Sequence, residues 1–412
     1  MKFGATLMRQ AEDLARFTED APRVTRTYLS SEHKAAGDYL IGLMRAAGME
    51  AGFDALGNIV GRYAAADASG SAPAPVVITG SHQDSVRNAG KYDGLYGILT
   101  AIACVGDLHA RHKRLPYTLE VIGFGDEEGV RFGTTLLGSR AVAGRFDFEA
   151  LKAKDAKSIS LETALREFGL DPKRIPEAAK KKSDVLAYAE LHIEQGPVLE
   201  AEGLAVGVVT AINGFSRLKV TLTGVAGHAG TVPMGLRRDA LAAAAECVLA
   251  VERIAKGDPE LVGTVGRIEA LPGAINVIPG DVTFTLDVRA PQDDTRTRAI
   301  ESIRSSLGNI CSERKIDLQI VDLQSQGVAA CAPWLMAQME RAVAAEGLKV
   351  RRLPSGAGHD GMAIQALADI CMLFVRCRGG ISHNPAESIT EADAGAGARV
   401  FERFIRDFSP RR

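Results

Sequence analysis

The sequence predicts an α/β protein: a mostly parallel-sheet domain with helices on both faces, plus an inserted α+β domain of the ferredoxin-like type. Apolar runs such as Val76–Thr79 and Thr118–Gly125 alternate with helical segments, as in parallel sheets covered on both faces. After Asn213–Gly214 the strand segments alternate apolar and polar residues, as half-exposed strands do. The elements of this second part follow the order β-α-β-β-α-β, which matches the split ferredoxin-like unit.

The first part is predicted to open with two helices, and capping signals bound the second of them. Ser30 or Ser31 is a typical N-cap, and Gly48 is a typical left-handed stop. A Gly57–Asn58 turn predicts a pair of strands, and a stretch rich in Ala, Ser, Gly and Pro predicts a loop. The predicted segments are helices over 6–20, Ser31–Ala47 and Leu95–Arg111, paired strands within Phe53–Tyr63, a loop over Ala64–Pro75 and a strand over Ala187–Gln195.

The second part is predicted as an insertion, because the chain returns to its first pattern afterwards. We expect domain segments 1–212, 213–326 and 327–412. Within the insertion we expect strands Arg217–Thr223, Val262–Glu269, Val282–Ala290 and Ile316–Leu323, with helices Arg238–Lys256 and Asp294–Arg314. The last segment is expected to contain helices Pro333–Glu346 and Glu391–Phe408 and strands Lys349–Leu353 and Ile370–Arg376.

The bulk composition excludes several classes of protein. The chain has 412 residues and a net charge of -2, with acids and bases mixed throughout, so a nucleic-acid partner is not expected. It contains no apolar run of about 18 residues, so no membrane span is expected. Six scattered cysteines lack paired spacing, which predicts free thiols in a reducing cytoplasm.

Histidines and carboxylates follow several of the predicted strands. His82 ends the strand that begins at Val76, and Asp93 follows in a Gly-bounded loop. Such residues at strand ends suit a divalent cation such as Zn²⁺ or Mn²⁺. Three more candidates lie in similar turns: Glu128, His192 and His383. Five ligands for two cations require one bridge, for which we choose Asp93, with His82 and His192 on one cation and Glu128 and His383 on the other.

Two further acids have predicted roles beside these ligands. Glu127 precedes a ligand and, on an extended backbone, points elsewhere, so it is placed to take a proton from a bridging water. Asp84 can hold the second ring nitrogen of His82 and fix its tautomer. The histidines on helices, His33, His109 and His112, are interpreted as surface residues.

Seven motifs resemble, in order along nearly the whole chain, the M20-type metallohydrolases. They are GSHQDSV, YDG, DEEGVRFGTTLLGSR, ELHIEQGP, GHAGTVPMGLRRDAL, SGAGHD and GGISHNPAE. The set is similar to the branch containing N-carbamoyl-L-amino-acid hydrolases, allantoate amidohydrolases and β-ureidopropionases. Peptidases of this type usually carry an acid where this chain has His192, which favours the amidohydrolase branch. The resemblance implies the same five metal ligands and makes Glu127 the general base.

The resemblance also implies roles for the remaining motifs. The inserted domain would mediate homodimerisation and lend residues to the neighbouring active site. There His228 would stabilise the oxyanion, Asn276 would bind the same region or the substrate's polar end, and Arg289 would grip a carboxylate. Arg217 is a second carboxylate contact, although for both arginines the sequence alone favours a surface ion pair. Gln195, Gly358 and His359 would line the rest of the pocket.

The resemblance leads to a specific expected function. We expect a cytoplasmic homodimer with two divalent cations, Zn²⁺ or Mn²⁺ with Co²⁺ or Ni²⁺ as alternatives. It would cleave the C–N bond of an N-carbamoyl-L-amino acid through a metal-bridged hydroxide. The alternatives are allantoate amidohydrolase or β-ureidopropionase, and, in a different class, a non-catalytic scaffold. Two features depart from the family pattern: Gln83 beside His82, and the basic pair Arg376 and Arg378 before His383.

Overall fold

The computed structural model describes residues 3–66 and 74–411, so residues 67–73 of the predicted Ala64–Pro75 loop lie outside it. The chain divides into a larger unit, Met1–Thr210 with Cys331–Leu353 and Ala357–Arg412, and a smaller unit, Ala211–Ala330 with Pro354–Gly356. The catalytic and dimerisation roles expected for the domains stay predictions. No helix in the described ranges is long and apolar enough to cross a membrane.

The helices are distributed along the whole chain. They are α1 (Phe3–Ala15), α2 (Ser31–Ala46), α3 (Leu95–Ala110), α4 (Leu137–Val142), α5 (Leu161–Phe168), α6 (Val198–Ala201), α7 (Ala240–Lys256), α8 (Asp293–Glu313), α9 (Pro333–Ala345), α10 (Gly361–Ile364) and α11 (Glu391–Asp407). Short 3-10 helices occupy Phe148–Lys152, Pro172–Ala178, Lys182–Asp184, Met234–Leu236 and Arg378–Gly380.

The strands of the described residues form one large and two small sheets. They are β1 (Glu50–Phe53), β2 (Ile59–Tyr63), β3 (Val76–His82), β4 (Thr118–Phe124), β5 (Val185–Ile193), β6 (Val206–Ile212), β7 (Gly214–Thr223), β8 (Gly227–His228), β9 (Val262–Leu271), β10 (Val277–Ile278), β11 (Asp281–Ala290), β12 (Asp317–Gln326), β13 (Ala329–Ala330), β14 (Arg352–Ser355) and β15 (Ile370–Val375). The large sheet has the order β1-β2-β4-β3-β5-β15-β6-β13, with β14 also paired to β6.

The centre of the large sheet is parallel. Strands β4, β3, β5 and β15 run in one direction, while β1, β2 and β6 pair antiparallel at the flanks. Neighbouring residues of β15 show that both faces are covered. Val375 points towards α11, where a Cβ on Gly397 would collide with it, while the Phe374 ring lies 5.9 Å from the ring of His359. The predicted mixed α/β class is therefore confirmed.

The smaller unit has the predicted order of elements, β7-α7-β9-β11-α8-β12. Its sheet is antiparallel in the order β12-β7-β11-β9. Alternate residues of β11, among them Phe284, Leu286 and Val288, are buried with α7 and α8 in one apolar core. Because side chains alternate along a strand, the residues between them lie on the opposite face of this sheet.

Helix α2 has the predicted caps but contradicts one prediction. Ser30 Oγ accepts the His33 N–H at 3.0 Å, and the chain leaves the helix through Gly48 at φ +82°. The predicted surface position of His33 is wrong, because this residue shares the buried face of the helix with Ala36, Gly37 and Leu40. Burial lowers the pKa of His33 to about 3, and neither ring nitrogen has a hydrogen-bond partner among the described residues.

His33 should make the protein less stable in mild acid. Its pKa in the unfolded chain is about 6.5, so between that pH and about 3 only the unfolded state binds the proton. Stability is therefore fully present above pH 6.5 and falls by roughly 1.4 kcal/mol per pH unit below it. We expect His33→Phe to reduce the loss in unfolding free energy between pH 7 and pH 5 by about 2 kcal/mol.

Urea unfolding at pH 7 and pH 5 gives the loss in unfolding free energy for each protein. Because the loss is taken within one protein, the effect of the substitution on packing cancels. His109→Gln, at an exposed histidine on α3, is the matched control and should leave the loss unchanged. Equal losses in wild type and His33→Phe would contradict the assignment.

Candidate metal centre

The predicted ligands converge because of the parallel sheet. The carboxyl ends of parallel strands meet at one edge, where loops form sites. His82 is the last residue of β3, His192 is the second-last residue of β5, and Glu128 follows β4. His383 follows β15, and Asp93 lies just before α3.

The first group of donors is His82, Asp93 and His192, all of them buried. His192 Nε2 lies 3.3 Å from Asp93 Oδ1 and 3.5 Å from His82 Nε2, and His82 Nε2 lies 3.9 Å from the same carboxylate oxygen. The Nδ1 atoms are held by backbone carbonyls, that of Asp84 at 3.0 Å and that of Ile193 at 2.9 Å. Both rings therefore turn Nε2 into the site, the tautomer that a metal ligand needs.

The second group is Asp93, Glu128 and His383. His383 Nε2 lies 3.1 Å from Asp93 Oδ2 and 3.3 Å from Glu128 Oε1. Asp93 thus presents one carboxylate oxygen to each group. The hydrogen bonds to Asp93 and Glu128 raise the pKa of His383 to about 10.

These donors fit divalent cations by spacing and by charge. Ligands about 2 Å from a tetrahedral ion lie roughly 3.3 Å from one another, close to the separations found in both groups. Burial alone would lower the pKa of His82, but the carboxylates of Glu127 and Asp93, with others nearby, raise it well above its usual value. The cluster therefore favours added positive charge, which protons or cations can supply.

The backbone is strained where it delivers these side chains. His383 has φ +54°, Asp126 has φ +59° and Gln195 has φ +57°. Non-glycine residues rarely adopt this left-handed conformation, which costs on the order of 1 kcal/mol or more each. Three such residues next to the donor groups are typical of a functional site.

Asp84 does not act as predicted. Its backbone carbonyl, and not its carboxylate, accepts the hydrogen bond from His82 Nδ1. The carboxylate instead accepts the backbone N–H groups of Glu127 and Glu128, at 3.1 and 3.2 Å. The reason is geometric: the loop after β4 brings two N–H groups within reach of the side chain. Asp84 therefore ties the loops that follow β3 and β4.

Glu127 lies beside the donors but belongs to neither the first nor the second group. Burial raises the pKa of Glu127 well above its usual value, and the carboxylates of Glu128 and Asp360 add to the shift. Gly358 is exposed, and a Cβ at this position would lie 3.6 Å from Glu127 Oε1. The glycine therefore leaves open space next to this carboxylate.

Gln195 and His359 both contact candidate metal donors. Gln195 Nε2 donates to Asp93 Oδ1 at 2.9 Å. His359 is 1% exposed, and its ring meets that of His192 edge-on, with centroids 4.5 Å apart. The ring of His359 packs between those of His192 and Phe374, and its predicted part in the substrate pocket stays a prediction.

Four predicted site residues lie in the smaller unit. His228 pairs with Val277 between β8 and β10, and Ala229 N–H donates to the Asn276 carbonyl at 2.9 Å, so His228 and Asn276 are neighbours. Arg217 and Arg289 both form ion pairs with Asp287, at 3.1 and 2.7 Å. The ion pairs that the sequence alone favours for these arginines are therefore present.

Two of the residues that depart from the motif pattern, Gln83 and Arg376, have partners that account for them. Gln83 is buried, and its Nε2 donates to the carbonyls of Gly57 and Gly123, at 2.9 and 3.3 Å, so it points away from the donors. Arg376 forms a bidentate ion pair with Asp393, with Nη2–Oδ1 at 2.7 Å and Nε–Oδ2 at 3.1 Å.

A fold with a parallel central sheet and paired His and carboxylate donors at its strand ends is typical of metal-dependent hydrolases. The model of peptidase family M20/M25/M40 matches residues 78–407, and the chain belongs to this family. An N-carbamoyl-L-amino acid amidohydrolase from Geobacillus stearothermophilus is 43% identical over 378 residues, 92% of this chain and 91% of that protein. Allantoate deiminase 1 of Glycine max is 39% identical over 432 residues, 96% of this chain and 88% of that protein.

A solved structure agrees with these relatives. An amidase of the hydantoinase/carbamoylase family from Burkholderia multivorans has a TM-score of 0.91 at 32% identity, covering 98% of this chain and 97% of that chain. The resemblance drawn from the motifs is confirmed, and so is the predicted class of enzyme, an amidohydrolase.

The sequence reasoning missed the group that holds Asp93. Glu387 Oε1 accepts the backbone N–H groups of Tyr92 and Asp93, at 2.8 and 3.1 Å, and its Oε2 accepts Ser382 Oγ at 2.9 Å. A Cβ at position 90 would collide with the Glu387 side chain, so only glycine fits there. Glu387 belongs to the GGISHNPAE motif. The motif therefore included this residue but did not indicate which groups it binds.

Replacing Glu387 should loosen the donor groups. Glu387→Gln keeps the size but weakens its charge-assisted bonds to two N–H groups, so the loops carrying Asp93 and His383 lose a common anchor. We expect affinity for Zn²⁺ or Mn²⁺ to fall about 10- to 100-fold, as for other groups that orient metal ligands. Competition with a chelator measures this change.

Glu391→Gln, at an exposed acid near the start of α11, is the control and should retain affinity. Unchanged affinity in Glu387→Gln would mean that the two loops hold their positions without this residue.

Proposed function

We propose that the protein is a binuclear metal-dependent amidohydrolase that cleaves a ureido C–N bond, with an N-carbamoyl-L-amino acid as substrate. The observation that carries the proposal is the Asp93 carboxylate, which directs one oxygen to each of two donor groups. The relative from Geobacillus stearothermophilus, which bears the name of this activity, supports the substrate. The alternative is allantoate amidohydrolase, supported by the relative from Glycine max, or β-ureidopropionase.

We assign His82 and His192 to one cation, Glu128 and His383 to the other, and Asp93 to both. Two divalent cations, Zn²⁺ or Mn²⁺ with Co²⁺ or Ni²⁺ as alternatives, would supply Lewis acidity and lower the pKa of a bound water. Gln195 keeps Asp93 oriented through its hydrogen bond of 2.9 Å to Oδ1. The five donors would lose most of their mutual repulsion with cations present, since the two carboxylates carry two negative charges.

Glu127 is the proposed general base and acid. Its carboxylate would take a proton from the attacking water and return it to the leaving nitrogen as the C–N bond breaks. The products are the free amino acid and carbamic acid, which decomposes to CO₂ and ammonia. The side chain suits the role because it lies beside His82 and Glu128 and belongs to neither of the two groups that contain Asp93.

The smaller unit would provide the polar contacts to the substrate. His228 would donate to the developing oxyanion, with its neighbour Asn276 beside it. Arg289 would bind the substrate carboxylate, with Arg217 as the second contact. We also propose homodimerisation through this unit, which exposes apolar side chains on edge strands and on α7: Leu249, Val262, Ile268, Leu271 and Leu323.

A cytoplasmic location completes the proposal. All six cysteines lie in the described ranges, and each is buried and free of disulfide bonds, which suits a reducing compartment.

A screen for ammonia release tests the function. The purified protein, loaded with Mn²⁺ or Zn²⁺, is offered N-carbamoyl-L-amino acids, allantoate and 3-ureidopropionate. We expect the highest kcat/KM with an N-carbamoyl-L-amino acid, and a higher value with allantoate would select the alternative. A protein that binds no metal and releases no ammonia from any of the three would instead be the non-catalytic scaffold.

Glu127→Gln should remove turnover and retain the metals. The amide keeps the shape of the side chain but cannot accept the proton, so we expect kcat to fall about 10²- to 10⁴-fold. Metal content by atomic absorption should match wild type, because Glu127 is not among the assigned ligands. Glu177→Gln, at an exposed acid, is the control, and kcat within threefold of wild type in Glu127→Gln would remove the base from this mechanism.

A further inference from the structure

A cluster of three charged side chains lies on one face of the sheet in the smaller unit: Arg217, Asp287 and Arg289. Arg217 on β7 stands directly opposite Asp287 on β11, and Arg289 stands opposite Phe215. The buried residues Leu286 and Val288 alternate with the members of the cluster on β11. The cluster therefore occupies the face opposite the helices α7 and α8.

Asp287 holds both guanidinium groups. Its Oδ2 accepts Arg217 Nε at 3.1 Å and Arg289 Nη2 at 2.9 Å, and its Oδ1 accepts Arg289 Nε at 2.7 Å. The Phe215 ring lies below both, 4.7 Å from the Arg217 guanidinium carbon and 5.8 Å from that of Arg289. The contacts to the two arginines lower the pKa of Asp287, although burial alone would raise it.

The arginines keep hydrogen-bond donors free. Arg289 uses a third donor on the Gly356 carbonyl at 2.8 Å, and Arg217 uses a second on Gln324 Oε1 at 3.0 Å. A guanidinium carries five N–H groups, so within the described residues two donors remain on Arg289 and three on Arg217. Two positive charges and one negative charge leave the cluster with a net charge of +1.

We infer that Asp287 determines specificity by charge: it limits the carboxylate-binding arginines to one net positive charge and thereby selects ureido acids with a single carboxylate. This inference rests on the proposed function, in which Arg289 and Arg217 bind the substrate carboxylate. One carboxylate neutralises the cluster, whereas a second on the substrate side chain finds no remaining charge there. Lys219, the next residue on this face beyond Arg217, is exposed, about 7 Å further along β7 and on the side away from Arg289.

Two nearly isosteric substrates isolate the effect of charge. N-carbamoyl-L-glutamine carries one carboxylate, and N-carbamoyl-L-glutamate carries two. We expect the wild type to have a higher kcat/KM for the glutamine derivative. In Asp287→Asn this ratio should fall about tenfold, the effect of one unit charge roughly 5–6 Å away in a partly solvated site.

A second pair of variants tests the net charge of the cluster independently. The first variant removes one positive charge, and the second restores the net charge. Arg217→Gln leaves the cluster neutral, so the KM for N-carbamoyl-L-glutamine should rise about tenfold. Combining Arg217→Gln with Asp287→Asn returns the net charge to +1 and should bring that KM back to within about threefold of wild type. Additive losses in the double variant would contradict the charge count, because restoring the net charge would then have no effect on the KM.

The matched control is Glu269→Gln. Glu269 pairs with Arg267 at 2.9 Å on the same face of the sheet, opposite Thr283, four residues along β11 from Asp287. It should leave the substrate ratio unchanged, and a fall equal to that of Asp287→Asn would overturn the inference. So would an unchanged ratio in Asp287→Asn, whereas a wild type inactive on every ureido acid would refute the proposed function itself.

Discussion

The site depends on a single carboxylate that lies between two groups of donors. Asp93 directs Oδ1 towards His192 and Oδ2 towards His383, and these histidines come from chain segments nearly two hundred residues apart. The carboxylate can do so only if the loop before α3 has a fixed position. Glu387 fixes it by accepting the N–H groups of Tyr92 and Asp93.

The predicted donors converge because their positions follow from the fold, and their role as metal ligands stays a prediction. A side chain at the end of a buried parallel strand must lie at the site-forming edge of the sheet, whichever loops surround it. His82 and Glu128 were found in this way, from apolar runs that end in polar residues. The fold class followed from the same runs, whose length and alternation with helices are local properties of the chain.

The prediction misplaced one residue and passed over one segment. His33 was assigned to the surface, although the spacing of Ala36, Gly37 and Leu40 already indicated that it shares their buried face. The segment between Glu128 and β5 received no prediction, and it forms α4, α5 and 3-10 helices that pack with Tyr28 and Leu56 in a separate apolar cluster. Helix α5 carried a signal that the prediction missed: Leu161, Ala164, Leu165 and Phe168 have helical spacing between the caps Ser160 and Gly169.

The role of each acid depends on whether backbone N–H groups bind its carboxylate. Asp84 and Glu387 each accept two main-chain N–H groups, so their oxygens are occupied and they serve as anchors between loops. Glu128 and Asp93 keep oxygens that face histidine nitrogens and can bind cations. Sequence spacing cannot make this division, because the deciding N–H groups belong to other loops. The same principle explains why the Asp84 side chain does not make its predicted contact with His82: its carboxylate binds two N–H groups of the loop after β4, and its backbone carbonyl holds the ring instead.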